Sequence, residues 1–434
     1  MTVTVRFAAV IALIGVAALV VPTSVVIALW LIALAGAGLD AWSMRRTPTV
    51  RRVLPMLSRG VQSPLLVEVS NDAAVGRSSR ITIRQPQPPD MVISPTTADG
   101  TRLEASVVAR RRGLHALPNV AVRLVGPLGL GARVHTIAEH GSTSVHPDLP
   151  SAHRIALAAR RGLLQSEGRN RGPLGLGTEF EAVREYRPDD DVRQINWLAT
   201  ARTGRAMSTV HRQEEDRDLI VVVDTGRLMA APFRTPTTAT TIEAMAMAAT
   251  TRLDALFDAV AALAFTADAV GDRVGLLAYD YEERARIMPT RRGGQGVVHA
   301  ALGLEPRPLT TDHELVSIRL PAIRRSIVVI ATDLLDRANA PRLAETVSRI
   351  HSSHEVIVVS ACEPAIESAA RGDRLDLGDT ARDLVADREE LARRLRAAGA
   401  MVVTAEPQLL ATASARAYLS RRSGATPRRQ TRSQ

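Results

Sequence analysis

The sequence predicts three structural parts: an N-terminal transmembrane helical hairpin, a small antiparallel β-sandwich, and a doubly wound α/β domain. Three observations predict them. No residue from Phe7 to Leu39 is charged, and short alternating apolar and polar runs follow between about 62 and 147. From residue 218 onward, continuous Val and Ile runs alternate with helical segments. At 434 residues the chain is long enough for several buried cores.

The uncharged N-terminal run would span about 50 Å as a single helix, which exceeds a hydrocarbon core of about 30 Å. Val21-Pro22-Thr23-Ser24 offers a turn in its middle, so we predict two transmembrane helices at about 5–21 and 24–40. The alternative is a cleaved signal peptide, because Ala33-Leu34-Ala35 resembles a cleavage site.

Arginines supply every basic side chain of this chain, which contains no lysine and carries a formal charge of +10. One cluster follows the uncharged run: Arg45, Arg46, Arg51 and Arg52. By the positive-inside rule, this cluster places the bulk of the chain in the cytoplasm. The chain is thus predicted to be a multi-pass protein of the cell membrane. The same cluster can contact the acidic headgroups of the lipid bilayer.

The predicted organisation has six segments. They are two transmembrane helices in 1–45, a basic juxtamembrane linker in 46–61, the β-sandwich in 62–150, a helix and Gly-rich linker in 151–176, the α/β domain with a charged segment before it in 177–420, and a basic disordered tail in 421–434.

Four strands are predicted in the sandwich, each bounded by turn residues. They are Leu65–Val69, Ser79–Ile83, Leu103–Val108 and Val120–Leu124. Three histidines in this region, His135, His140 and His146, lack the spacing of a metal cluster and are interpreted as surface residues.

The α/β domain is predicted as a parallel sheet buried on both faces. Its strands are Leu219–Asp224, Arg273–Tyr279, Ser326–Thr332, Glu355–Ser360 and Met401–Thr404, with helices at about 239–269, 295–303, 339–351, 387–398 and 408–420. Ligands bind at the carboxyl ends of strands in such sheets, which here means near Asp224 and Asp333.

The charged segment Gly177–Arg217 also holds apolar side chains such as Phe180 and Trp197, unlike a solvated linker. Asp191 with Gln194 three residues later has the pattern of a capping box that opens a helix. Two interpretations stay open. The arginines and carboxylates hold the segment onto the following sheet, or they form a docking surface that binds carboxylate or phosphate groups of a partner.

This segment resembles, in order, the signature of the domain-of-unknown-function family fifty-eight, bacterial proteins related to von Willebrand A domains and usually linked to MoxR-type AAA+ ATPases. The matching positions are Glu179-Phe180, Arg184-Glu185-Tyr186, Pro188, Asp190-Asp191, Arg193, Ile195, Trp197 and Ala201-Arg202. Two positions depart from the family pattern: Asp189 stands where glycine is usual, and Asn196 where aspartate is usual.

The resemblance implies a von Willebrand A-like α/β domain and a MoxR-type AAA+ ATPase as partner. The predicted partner-binding residues are Arg184, Glu185, Tyr186, Asp190, Asp191, Arg193, Trp197 and Arg202.

The von Willebrand A resemblance also implies where Mg²⁺ would bind. That site uses Asp-x-Ser-x-Ser, a threonine on a neighbouring loop, and an aspartate after a later strand, all oxygen ligands. Here Asp224-Thr225-Gly226-Arg227-Leu228 lacks both serines, and Gly293-Gly294-Gln295 has glutamine at the expected threonine position. Asp224 and Asp333 remain, so we predict a degenerate metal site, in which Arg227 could neutralise the two carboxylates.

Composition and motifs limit the classes of function that this chain can have. Aromatic residues make up only 3% of the chain, which argues against nucleic acid as a partner. The sequence has no nucleophile elbow, phosphate loop, zinc-protease or dinucleotide motif, so we predict no enzyme and no cofactor. The predicted function is a membrane-anchored cytoplasmic adaptor for a MoxR-type AAA+ ATPase, in the assembly or maturation of other proteins. The alternatives are a Mg²⁺-dependent ligand-binding protein of the von Willebrand A type, or a hydrolase that uses Asp189–Asp191.

Overall fold

A computed structural model divides the chain into two structural units. The first contains Met1–Asp148 with the short segments Pro232–Thr250 and Ala301–Gly303, and the second contains the remainder. The residues that the structure describes are 2–70, 75–138, 141–164, 174–175, 179–187, 195–212, 217–233, 250–320, 325–372 and 378–423.

Two apolar helices open the first unit: α1 (Val5–Ala17) and α2 (Thr23–Ser43). Thr4 caps α1, because its hydroxyl accepts the N–H of Phe7 at 3.2 Å, and Pro22 stands before α2 as the sequence predicts. With a mean hydropathy of 2.0, α2 is long and apolar enough to cross a membrane. Helix α1 ends earlier than predicted, and its 13 residues reach only about 20 Å.

The strands of the first unit form three small sheets. They are β1 (Thr2–Val3), β2 (Val50–Val53), β3 (Leu57–Ser58), β4 (Gln62–Val69), β5 (Arg80–Arg84), β6 (Met91–Ser94), β7 (Thr97–Asp99), β8 (Arg102–Ala109), β9 (Gly113–Ala116), β10 (Val120–Val125), β11 (Gly131–Ile137) and β12 (Ser142–His146). The sheet orders are β1-β11-β10-β5-β7, β2-β4-β8-β6 and β3-β12-β9, and β3 and β12 pair in parallel.

The two larger sheets bury alternate side chains in one common core, as two facing layers do. Leu65 and Val67 of β4 and Val122 and Leu124 of β10 belong to it. All four strands predicted here are found, as β4, β5, β8 and β10. The interpretation of His135 as a surface residue is wrong, since its ring is buried and its Nε2 lies 2.8 Å from the carbonyl oxygen of Met44 at the end of α2.

The second unit alternates strands and helices. Its elements are α3 (Leu149–Arg160), β13 (Leu174–Gly175), β14 (Glu179–Glu185), α4 (Trp197–Thr203), β15 (Met207–Arg212), β16 (Asp218–Asp224), a 3₁₀ turn (Arg227–Ala230), α5 (Arg252–Ala269), β17 (Arg273–Tyr279), β18 (Glu283–Arg291), α6 (Gly294–Leu302), α7 (Glu314–Arg319), β19 (Ile327–Ala331), α8 (Ala340–His351), β20 (Glu355–Ala361), α9 (Pro364–Ala370), α10 (Gly378–Ala397), β21 (Met401–Ala405) and α11 (Pro407–Arg422).

A six-stranded sheet lies at the centre of this unit, in the order β18-β17-β16-β19-β20-β21. The five predicted strands run parallel, and the sixth, β18, pairs antiparallel with β17 at the edge. Every residue of β16 is buried, as its aliphatic sequence requires. Ile220 and Val222 share a core with Val347 of α8 and Leu395 of α10, whereas α5 and α11 pack on the strands through other residues.

Helix α5 begins later than the sequence suggests. The predicted helix starts near residue 239, but Thr251 has extended backbone angles and caps a helix whose first residue is Arg252. Thr251 and Asp254 form a reciprocal capping box, which fixes this start. Residues 234–249 lie outside the described residues.

The charged segment before the sheet forms a β-hairpin of β14 and β15, extended by β13. Helix α4 lies between the two strands, capped by Asn196, whose side chain accepts the N–H of Ala199 at 2.9 Å. The prediction of a helix that opens at Asp191 and continues through Ile195 is wrong, because Ile195 forms a β-bridge with Ser208. Asp191 itself lies outside the described residues.

Leu395 tests the importance of the core shared by α10 and the sheet, since its side chain is fully buried. We expect Leu395→Ala to lower the free energy of unfolding by about 2–5 kcal/mol through lost burial and a cavity. The measurement is urea denaturation of the full-length chain in detergent. Leu409→Ala is the control, because Leu409 is 62% exposed and should change stability by less than about 0.5 kcal/mol. Equal effects of the two substitutions would contradict this packing.

Candidate functional site

A small cleft lies at the carboxyl ends of β16 and β19, where the sequence places Asp224 and Asp333. Because these neighbouring strands are parallel, the residues that follow them meet at one edge of the sheet. The cleft has a free volume of about 10 Å³, the room that one water molecule needs. Its lining residues are Asp224, Arg227, Leu228, Thr311, His313, Thr332, Asp333 and Asp336.

The carboxylate of Asp224 is buried and accepts three hydrogen bonds from three parts of the chain. Its Oδ1 accepts the N–H of Gly226 at 2.8 Å and the hydroxyl of Thr311 at 2.6 Å. Its Oδ2 accepts the hydroxyl of Thr332 at 2.7 Å. A buried carboxylate needs such donors to offset its lost hydration.

The threonine that contacts Asp224 from a neighbouring loop is Thr311, whereas the sequence suggested the loop Gly293-Gly294-Gln295 for this position. That assignment is wrong, because β18 runs antiparallel and ends where Arg291 pairs with Arg273, at the beginning of β17. The Gly293-Gly294-Gln295 loop therefore follows the opposite edge of the sheet. Thr311 precedes α7 and has no local sequence signal that marks it.

Asp333 is paired with a buried arginine. The guanidinium of Arg252, the first residue of α5, contacts the Oδ2 of Asp333 and lies 3.1 Å from the Oε2 of Glu363. The Oδ1 of Asp333 accepts the N–H of Leu335 at 2.6 Å. Burial raises the pKa of Asp333, and this outweighs the lowering by Arg252. Arg252, rather than the predicted Arg227, is thus the cation that neutralises this carboxylate.

Two buried rings, those of His313 and Tyr279, lie close to each other near the cleft. The Nδ1 of His313 is 2.9 Å from the hydroxyl oxygen of Tyr279, and both side chains are buried. Burial lowers the pKa of His313, against smaller raising effects from Asp224, Asp336 and Asp312. Burial also raises the pKa of Tyr279 well above its ordinary value. Both rings are therefore neutral at pH 7.

This donor set does not fit a divalent cation of the von Willebrand A type. Gly226 and Leu228 supply no hydroxyl, and a Cβ at residue 226 would clash with the Thr311 hydroxyl. Asp333 is already paired with Arg252. Among the described residues, no group of three or more His, Cys, Asp and Glu side chains could hold a metal ion. The cleft is built as a hydrogen-bonded cluster with an internal cation.

The predicted partner-binding residues lie on or beside the β14–β15 hairpin. Glu185 ends β14 and lies 3.6 Å from Arg205, and the N–H of Tyr186 donates to the carbonyl of Ala206 at 2.8 Å. Trp197 opens α4 with 70% of its surface exposed, and Arg202 is also exposed in this helix.

Four further residues of the predicted surface need separate mention. Arg184 pairs with Ser208 through its backbone in β14. Asp190, Asp191 and Arg193 lie outside the described residues. The structure thus brings Glu185, Tyr186, Trp197 and Arg202 onto one hairpin, while Asp224 and Asp333 share the cleft.

Metal independence can be tested on the full-length chain in detergent. We expect the same melting temperature in EDTA and in millimolar Mg²⁺, because Arg252 already pairs with Asp333 and Glu363. Arg252→Met leaves Asp333 and Glu363 without a cation and should cost about 3–5 kcal/mol. In this variant Mg²⁺ should restore part of the stability, since carboxylate oxygens are its preferred ligands. Arg416→Met, at an exposed position of α11, is the control. Stabilisation of the wild-type chain by Mg²⁺ would contradict the conclusion that the residues of the cleft do not fit a divalent cation.

The buried His313 predicts a pH dependence of stability. Its pKa in the folded chain is below the ordinary value of 6.5, so the neutral ring favours folding at pH above 6.5. This contribution is lost as the pH falls towards the lowered pKa. We expect His313→Gln to show a shallower fall of unfolding free energy between about pH 7 and 5. His299→Gln, an exposed site, should keep the wild-type slope. A wild-type slope in His313→Gln would refute this assignment. His354, whose pKa burial also lowers, contributes to the slope that remains.

Two solved structures are distantly similar to this chain. One is a von Willebrand factor type A protein from Catenulispora acidiphila, with a TM-score of 0.28 and 13% identity over 50% of this chain and 44% of that chain. Another is a family two carbohydrate esterase from Cellvibrio japonicus, with a TM-score of 0.22 and 8% identity over 87% and 99%.

Sequence relatives are closer. The uncharacterized proteins Rv1480 and MT1527 of Mycobacterium tuberculosis and Mb1516 of Mycobacterium bovis are each 27% identical over 255 residues, which cover 53% of this chain and 75% of theirs. The family described as protein of unknown function DUF58 matches residues 182–406, which include most of the hairpin and the whole six-stranded sheet. This chain belongs to the DUF58 family.

Proposed function

We propose that this protein is a membrane-anchored cytoplasmic adaptor whose β14–β15 hairpin docks a MoxR-type AAA+ ATPase, in the assembly or maturation of other proteins. The observation that carries the proposal is the solvent-facing surface of α4. Trp197 and Leu198 are 70% and 66% exposed there, and no residue of this helix is buried. Large apolar side chains held on a short capped helix are typical of binding surfaces.

The geometry of α4 gives these side chains a common face. Residues three or four positions apart lie side by side on a helix. Ala201 and Arg202 stand three and four positions after Leu198, and Ala201 stands four positions after Trp197. All four are exposed. We call this set the α4 face. It combines Trp197 and Leu198 with the guanidinium of Arg202, and tryptophan and arginine are enriched among the residues that dominate the energy of protein interfaces.

The alternative, in which the signature only holds the segment onto the sheet, has less support. In that case the tryptophan of the signature would be expected inside the packing, whereas Trp197 faces solvent. The pair of Glu185 and Arg205 is also largely exposed, so it contributes no more than about 1 kcal/mol to folding. Asn196 keeps the capping role that the family's usual aspartate can perform, because both are good N-caps. The departure at this position therefore leaves α4 in place.

The membrane anchor is the second part of the proposal. We propose that α1 and α2 form a transmembrane hairpin and that the six-stranded sheet is a doubly wound, von Willebrand A-like domain in the cytoplasm. The N-terminus supports an uncleaved anchor, because Thr2 and Val3 pair with β11. Cleavage after Ala35 would remove this strand and α1 from the first unit. The arginines that follow α2 favour the cytoplasmic side.

A cross-linked pull-down of the tagged full-length chain from its native membranes tests the docking. We expect an AAA+ ATPase among the captured proteins, and at least a tenfold loss of it, about 1.4 kcal/mol, when Trp197→Ala and Arg202→Glu are combined. The matched control combines Leu409→Ala and Arg416→Glu, an exposed leucine and arginine on α11. It should capture the ATPase as the wild type does.

The outcomes separate the parts of the proposal. Capture that survives Trp197→Ala with Arg202→Glu would show that the ATPase binds elsewhere on the chain. No ATPase in the wild-type sample would remove the proposed partner. The amount of the variant chain in the membrane fraction reports separately on its folding and anchoring.

A further inference from the structure

The turn Gly126–Gly131 joins β10 to β11 in the first unit and lies directly against α2. Gly36 faces it so closely that a Cβ there would lie 3.2 Å from the Cδ1 of Leu130 and 3.8 Å from the Cδ1 of Leu128. A Cβ at Gly126 or Gly131 would overlap with α2 at Asp40 or Ala37. This turn is therefore fitted to the helix, and we call it the docked turn.

Leu128 is nevertheless exposed. It presents 59% of its surface at the tip of the docked turn. Exposed apolar side chains also occur on both helices: Val5 is 87% exposed at the beginning of α1, and Leu39 is 64% exposed on α2. Because Leu128 lies beside Gly36, it adds to the exposed apolar surface of α2.

The residues of α2 indicate how deep the docked turn would lie if this helix crosses a bilayer. Trp42 stands near the end of α2 with the guanidinium of Arg45 4.2 Å from the centre of its ring. Tryptophan and arginine of this kind mark the boundary between headgroups and acyl chains. Gly36 precedes Trp42 by six residues, so the position beside it is about 9 Å deeper along the helix.

The backbone of the docked turn is satisfied as an irregular segment in a membrane requires. Non-helical backbone is tolerated at membrane depth only where protein supplies its hydrogen bonds. The carboxylate of Asp40, only 2% exposed, accepts the N–H groups of Leu128, Leu130 and Gly131 at 3.0, 2.8 and 3.2 Å.

Further contacts complete this pattern. The N–H of Gly126 donates to the carbonyl of Gly131 at 2.9 Å, and that of Gly129 donates to Gly126 at 3.0 Å. Thr4 donates its hydroxyl to the carbonyl of Gly129 at 2.6 Å and its N–H to that of Leu130 at 3.2 Å. Pro127 carries no N–H, and each of the other five residues of the docked turn donates its N–H to a partner.

We infer that the docked turn is a membrane-embedded element, with Leu128 among the acyl chains beside α2. Its occupant is the lipid bilayer, because the exposed surface is apolar and Arg6 and Arg45, both exposed, can reach anionic headgroups at its rim. The inference rests on the proposed membrane anchoring. It assigns a second attachment to the β-strands of the first unit, in addition to the helices.

Site-directed fluorescence on the full-length chain tests this inference. Cys362, the single cysteine, is replaced by serine, and one new cysteine is introduced at a time as Leu128→Cys, Leu31→Cys or Leu114→Cys. All three leucines are exposed, at 59%, 61% and 70%, so the substitutions leave the cores intact. Each cysteine carries an environment-sensitive dye, and the chain is reconstituted in vesicles of phosphatidylcholine and phosphatidylglycerol with or without spin-labelled lipid.

We expect a shift to shorter wavelength and lipid quenching at residues 31 and 128, to a similar extent, and neither at residue 114 in β9. Quenching at residue 31 without quenching at residue 128 would overturn the inference and leave the anchor intact. Absence of quenching at residue 31 would overturn the anchoring itself, and the inference with it. Quenching at all three residues would also overturn it, because the unit would then adhere to lipid without a dedicated element.

Discussion

The carboxylate of Asp224 lies inside the protein at the end of the central strand, and the chain around it is arranged to supply its hydrogen bonds. An ionised carboxylate taken out of water is stable only where donors replace its hydration. Here the donors come from Gly226, Thr311 and Thr332, that is, from three loops that follow different elements. Satisfying one buried group therefore fixes the relative positions of these loops, and the cleft is the result.

The same constraint recurs wherever distant parts of a unit meet. Asp272 at the beginning of β17 binds the Tyr418 hydroxyl and the Arg422 guanidinium, which holds the last helix on the sheet. Asp40 collects three N–H groups of a turn some 90 residues further along the chain. In each case an apolar core supplies most of the stability, while the carboxylate selects one arrangement of the segments that cover it.

The strands of the sheet could be predicted because parallel strands buried on both faces need continuous aliphatic runs. Strand β18 was missed, since its charged residues and Pro289 suit an exposed edge and conceal the pattern. Asp224 and Asp333 were found from their position after strands. Thr311 and Arg252 were missed because each acts on a residue more than 80 positions away, at 87 and 81. Such partners carry no local signal, and only the folded topology brings them together.

The ion pair of Arg252 has a consequence for how this protein can be controlled. A cation that is bound from solution can leave, and a domain that depends on it then responds to the supply of that ion. A guanidinium belongs to the polypeptide and is present once per chain under every condition. The pair of Asp333 and Glu363 is thus neutralised by the chain itself, and this neutralisation needs no ion from the surroundings. We therefore expect that the supply of divalent ions does not control this pair of carboxylates.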